Sequence, residues 1–83
     1  MRYSFVPRAL RDIKRLPRDA QKRIIQKLDY FVSQREPLQL AESIINRTTG
    51  HFRFRVGDYR LIFEIEDNTI LILRVRHRKD IYK

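Results

Sequence analysis

After Gly50 the spacing of apolar residues changes to two and keeps that period almost to the C-terminus. Phe52, Phe54 and Val56 alternate with Arg53 and Arg55. Leu61, Phe63 and Ile65 alternate with Arg60, Ile62 and Glu64. Leu71, Leu73 and Val75 alternate with Ile70, Ile72, Arg74 and Arg76. Successive side chains of a strand point to opposite faces, so each run reads as a strand with one apolar side. Gly57-Asp58 and the "EDN" at 66–68 supply turn chemistry between the runs. The three runs therefore predict an antiparallel meander. The same parity places Phe52, Phe54, Leu61, Phe63, Leu71, Leu73 and Val75 on an inner face. Arg53, Arg55, Arg60, Arg74 and Arg76 fall on the opposite, uncovered face, with Ile62 and Glu64.

Upstream, "RYSFV" at 2–6 has the alternation of a short strand. Pro7 suits a first helical turn, where its missing N–H is not needed. Leu10, Ile13 and Leu16 then recur at helical spacing, with Arg8, Arg11, Lys14 and Arg15 around them. Pro17 interrupts this helix and starts a second, with Asp19 near the positive end of its dipole. Ala20, Ile24, Leu28, Phe31 and Val32 carry its apolar stripe to about Ser33. The segment "QREPLQLAESIINRTTG" surrounds a short apolar patch, Leu38, Leu40, Ile44 and Ile45, with polar residues, a proline and a glycine. It reads as a connector with a brief helical turn. The order strand, helical hairpin, three-stranded meander predicts an α+β fold with the helices packed on one sheet face. With 83 residues, a single domain spanning 1–83 is expected.

Composition narrows the chemistry. There is no cysteine, so disulfides, thiolate nucleophiles and cysteine zinc sites are excluded. The two histidines, His51 and His77, are far apart, and the acidic residues have no calcium-loop spacing, so no metal site is expected. Gly50 and Gly57 are the only glycines, too few for a phosphate-binding glycine loop, and no cofactor is predicted. No apolar run is long enough to span a bilayer, and "MRYSFVPRAL" lacks the hydrophobic region of a signal peptide. A soluble, cytoplasmic chain is the expectation. Nineteen Lys and Arg against ten Asp and Glu give a formal charge of +9, which draws either a nucleic acid or an acidic protein.

Guanidinium groups fixed on a sheet make a phosphate site, because each stays charged and donates paired hydrogen bonds to phosphate oxygens. Around a scissile phosphodiester they also stabilise the added charge of the transition state. A merely solvated arginine face is the plain alternative. Arg53, Arg55, Arg74, Arg76 and Lys79 are the candidate RNA or phosphate contacts. His77 has the side chain whose ordinary pKa suits proton transfer, and Tyr82 can stack on a base or transfer a proton.

The run "FRFRVGDYRLIFEIEDNTILILRVRHRKDIYK", with its "VGDYR" to "HRKDIY" pairing, resembles the C-terminal half of the RelE/ParE superfamily of bacterial and archaeal toxins. The opening strand, helical hairpin and "LAESI" are similar to the family upstream, so the resemblance covers nearly the whole chain. It implies the toxin of a type II toxin–antitoxin module of the RelE-like branch. Such toxins are ribosome-dependent endoribonucleases that cut messenger RNA in the ribosomal A site through attack of the RNA's own 2′-hydroxyl. They are silenced by a cognate antitoxin, here expected to be acidic and to cover the arginine face or displace the C-terminal segment in a hetero-oligomer. By resemblance, Arg60 falls on the family's meander arginine, His77 and Arg78 in its basic post-strand motif, and Tyr82 on its terminal tyrosine. Arg60 and Arg78 are thereby assigned to phosphate or transition-state contacts, and His77 or Tyr82 to proton transfer. Arginines replace lysines at 53 and 55, and Arg76 stands where many relatives have a small residue. A ParE-like inhibitor of DNA gyrase and a non-catalytic RNA-binding module are the alternatives.

Overall fold

The computed structural model describes residues 1–34, 42–46 and 51–79. The elements run β1 (Arg2–Phe5), α1 (Pro7–Lys14), α2 (Arg18–Ser33), β2 (Glu42–Asn46), β3 (His51–Val56), β4 (Tyr59–Glu66) and β5 (Thr69–His77). They form an α+β fold in which a five-stranded sheet has the order β1-β5-β4-β3-β2. The predicted meander is present as β3, β4 and β5, paired antiparallel. β1 pairs parallel with β5, so the first strand is tied to the last. Leu38, Leu40 and Tyr82 lie outside the described residues.

Both hairpin turns follow from residues that tolerate positive φ. Gly57 sits at φ 58 as the first of two residues linking Val56 to its partner Tyr59, the Gly-first arrangement of a type II′ turn. Asp67 and Asn68 both have positive φ, 49 and 60, between the paired Glu66 and Thr69, which is type I′ geometry. Each turn matches the right-handed strand twist and fixes the register.

The helices cover one face. Ala9 and Ile13 of α1 and Ile24, Leu28 and Phe31 of α2 bury against Phe54, Val56, Leu61, Phe63, Ile70, Ile72 and Val75. Phe31 is the anchor of α2, its ring centroid 4.4 Å from Phe54 and 5.9 Å from Phe63. Full burial of such a side chain is worth roughly 1.5–3 kcal/mol.

Three sequence expectations are corrected. The connector contains the edge strand β2, antiparallel to β3, where a helical turn was expected. Leu71 and Leu73 do not face the core; Ile70 and Ile72 do, each fully buried. The cause is a bulge: Ile62 pairs with Arg74 but Phe63 pairs with Ile72, leaving Leu73 as an extra residue. One extra residue inverts the parity of everything before it. Downstream, Val75 stays inward and Arg74 and Arg76 outward, as predicted. Finally, Leu10 is 41% exposed while Ala9 is fully buried, because the short α1 turns a small residue onto the sheet.

Candidate nucleic-acid interface

Register builds the arginine cluster. Arg55 of β3 pairs with Arg60 of β4, and Arg60 with Arg76 of β5, so three arginines form a row across adjacent strands. A second row, Arg53, Ile62 and Arg74, lies one pleat repeat away. Directly opposed side chains have Cβ atoms about 4.5–5.5 Å apart, and like charges so placed destabilise a sheet.

The arginines are not equivalent, and Arg60 departs from the expected open face. It is only 7% exposed. Its Nη1 donates to the carbonyl oxygens of Gly57 and Tyr59 at 2.9 and 3.0 Å, so the guanidinium folds back over its own hairpin. It stiffens the row from beneath. Arg55 is exposed and Arg53 and Arg76 are half-buried.

Arg74 is held by a residue the sequence reading did not single out. Asp12 of α1 accepts from Arg74 Nε at 2.8 Å and Nη2 at 3.2 Å, and from the Val75 N–H at 3.0 Å. β1 pairs with β5 only as far as Ile72, so the Asp12 carboxylate serves the strand edge beyond it. Burial by itself would push the Asp12 carboxyl up. The hydrogen bonds from Arg74 and Val75 and the charges of Arg74 and Arg76 outweigh it and hold the pKa below the ordinary value. Asp12 is the only acidic residue in α1, a visible signal, but its partner lies 62 residues away.

Around this clamp lies an open recess of about 300 Å³ lined by Asp12, Arg15, Leu16, Arg74, Arg76 and His77. It has phosphate-sized room and an excess of cations. Arg15, read only as helix surface, is brought into it by α1. His77 is one residue past Arg76, so it lies on the helical side of β5 while the arginine row lies on the other. Its ring packs edge-on against Tyr59 at 5.5 Å. Its Nδ1 accepts the Lys79 N–H at 3.2 Å, which leaves Nε2–H as the donor of the neutral ring.

The end of β5 is fastened to the first hairpin. The Arg78 N–H donates to the Asp58 carbonyl at 2.7 Å, and Arg78 Nε lies 3.6 Å from the Asp58 carboxylate, both side chains exposed. Arg55, Arg76, His77, Arg78 and exposed Lys79 therefore gather at one end of the sheet, where two hairpin ends meet. Among the described residues no cluster of metal-ligating side chains occurs. No described helix is long and apolar enough to cross a membrane.

Comparison with known proteins gives a consistent picture. The family model described as ParE toxin of type II toxin-antitoxin system, parDE, matches residues 3–82. Toxin RelG of Mycobacterium tuberculosis is 36% identical over 81 residues, covering 95% of this chain and 92% of that protein. Toxin RelE3 of Methanocaldococcus jannaschii is 34% identical over 85 residues, covering 99% and 96%. Among solved structures, the toxin-antitoxin complex RelBE2 from Mycobacterium tuberculosis superposes with a TM-score of 0.78 at 34% identity, over 93% of this chain and 96% of that one. The RelB-RelE complex from Methanococcus jannaschii gives a TM-score of 0.69 at 32% identity, over 95% and 94%.

Proposed function

Because the chain belongs to the RelE/ParE family of toxins of type II toxin–antitoxin modules, we propose that its toxic activity is ribosome-dependent cleavage of messenger RNA. The observation that carries the reading is the in-register row Arg55, Arg60, Arg76, whose Arg76 also lines a recess shared with His77 at the same sheet end. In this reading the domain, 1–83, works in the cytoplasm on message held in the ribosomal A site. A cognate antitoxin, as in the related RelB–RelE complexes, holds it inactive in a hetero-oligomer.

The scissile phosphate sits against Arg76 and Arg55, with Arg78 and Lys79 on the flanking backbone and Arg53 and Arg74 in support. Arg60 keeps the row rigid. The RNA 2′-hydroxyl passes its proton to a solvent water molecule as its oxygen attacks phosphorus; the bond to the 5′-oxygen breaks, leaving a 2′,3′-cyclic phosphate. The departing 5′-oxygen takes a proton from His77 in its imidazolium form or from Tyr82. Arginine is unsuited to that transfer, since its pKa is above about 12, but it neutralises the charge that accumulates on the phosphoryl oxygens. The chemistry is metal-independent.

Ribosomes programmed with a defined message test this directly. Wild-type protein should cut within the A-site codon, in EDTA as well as without it. Arg76→Ala and His77→Ala should each slow cutting by about a hundredfold. An uncut message with folded wild-type protein would remove the nuclease assignment. A second reading, inhibition of DNA gyrase, is favoured by the ParE description of the matching family model and by the burial of Arg60 away from a phosphate. A supercoiling assay separates it, because such an inhibitor stalls gyrase and leaves RNA whole.

A further inference from the structure

The recess of about 300 Å³ lies at an open edge of the sheet, where β1 stops pairing at Ile72 and β5 runs on. Three arginines line it, Arg15 from the end of α1 and Arg74 and Arg76 from β5, and Asp12 is the one carboxylate among the described residues around it. Three positive charges less one negative leave an excess of two, more than a single phosphodiester neutralises.

Asp12 does not close the recess to anions. Its carboxylate already accepts from Arg74 Nε, Arg74 Nη2 and the Val75 N–H, and its side chain is 10% exposed. A guanidinium has five N–H groups. The two that Asp12 engages fix Arg74 in place, and the others have no partner among the described residues. Arg15 is fixed by its backbone instead. Its N–H donates to the Asp12 carbonyl at 3.3 Å, the Leu16 N–H donates to the Ile13 carbonyl at 3.1 Å, and Gln21 Nε2 donates to the Leu16 carbonyl at 2.8 Å. The exposed Arg15 guanidinium has no partner among the described residues. The helix dipole does not account for it, because Arg11 and Lys14 already place cations in the last turn of α1.

His77 also lines the recess and sets a direction. The 5′-oxygen that it protonates belongs to the nucleotide on the 3′ side of the cut. A strand whose departing oxygen lies at His77 carries its next phosphate into the recess. We propose that the recess is a second phosphate subsite, in which Arg15 and Arg74 bind the first phosphodiester 3′ of the scissile one and Arg76 stands between the two. The proposal rests on the nuclease reading above. Prior fixing of Arg74 by Asp12 and of the Arg15 backbone lowers the ordering cost of that contact.

Ribosomes programmed with ordinary message, or with message carrying one uncharged methylphosphonate in place of that 3′ phosphate, provide the test. Arg15→Ala should raise the half-saturating toxin concentration about tenfold, the loss of a charge-assisted contact, and Arg15→Lys should restore most of it. The methylphosphonate should cost wild type a similar factor and cost Arg15→Ala nothing further. The same replacement on the 5′ side of the cut should instead add to the loss in Arg15→Ala. Unchanged cutting by Arg15→Ala overturns the subsite and leaves the nuclease standing. Full additivity at the 3′ phosphate places Arg15 on ribosomal RNA and overturns it too. So does a loss that follows a lowered melting temperature and is not restored by lysine, which assigns Arg15 to the helix end. A wild-type chain that leaves the ordinary message whole overturns both readings.

Discussion

Replacing Asp12 by Asn tests the clamp between α1 and the edge of β5. The substitution keeps the side-chain shape and one oxygen but removes the charge. Asp12 takes two hydrogen bonds from Arg74 and one from the Val75 N–H, with side-chain exposures of 10% for Asp12 and 26% for Arg74. Hydrogen bonds to a charged group contribute about 1.5–3 kcal/mol each, and the quarter-exposed guanidinium can recover part of that from water. A net loss of about 2 kcal/mol follows at neutral pH. For a domain of this size that lowers Tm by roughly 8–16 °C.

The pH dependence carries the stricter test. The Asp12 pKa is lower folded than unfolded, so its contribution is complete above the ordinary aspartate pKa of about 3.9. It is lost as pH falls through the lowered folded value. Melting curves by circular dichroism, recorded from pH 7 down to acid, should show a wild-type advantage that is flat through the neutral range and closes only in strong acid. An advantage that persists unchanged in strong acid, or one below about 2 °C at pH 7, would refute the clamp.

Phe31→Ala removes the ring between Phe54 and Phe63 and should cost about 3–5 kcal/mol, read by urea denaturation, with Phe31→Leu much milder. Gly57→Ala puts a Cβ on a residue at φ 58, 3.4 Å from Arg23 Nη1, and should cost about 1–2 kcal/mol in the same assay. The Tyr3 hydroxyl donates to Asp29 at 2.8 Å, and burial first, then that hydrogen bond and charge, raises its pKa. Tyr3 should therefore ionise late in an ultraviolet pH titration, and Asp29→Asn should bring it earlier. Its small stabilisation is complete below the ordinary tyrosine pKa of about 10 and disappears as pH rises through the folded value.

The legible parts of this fold are those where a local period and a local turn agree. Strands β3, β4 and β5 were readable because alternation continues between residues, Gly57 and Asp67-Asn68, that accept positive φ. The stripe Ala20, Ile24, Leu28 and Phe31 announced α2 for the same reason. "ESIIN" escaped because five residues are too few to show a period, and β2 exists by virtue of hydrogen bonds to β3. Of the site, the residue types and the parity of Arg53, Arg55, Arg74 and Arg76 were visible, but the exposure of each was not.

The sequence alone determined which side chains of the meander carry charge and that they share a face, because a strand's alternation is a property of its own backbone. Only the tertiary structure decided what each arginine does there. Burial turned Arg60 toward two carbonyls, α1 delivered Asp12 to Arg74 and Arg15 to the recess, and a bulge at Leu73 exchanged the core residues of β5. Each depends on groups far apart in the chain meeting in space, and hydrogen-bond and desolvation energies exist only once they have met.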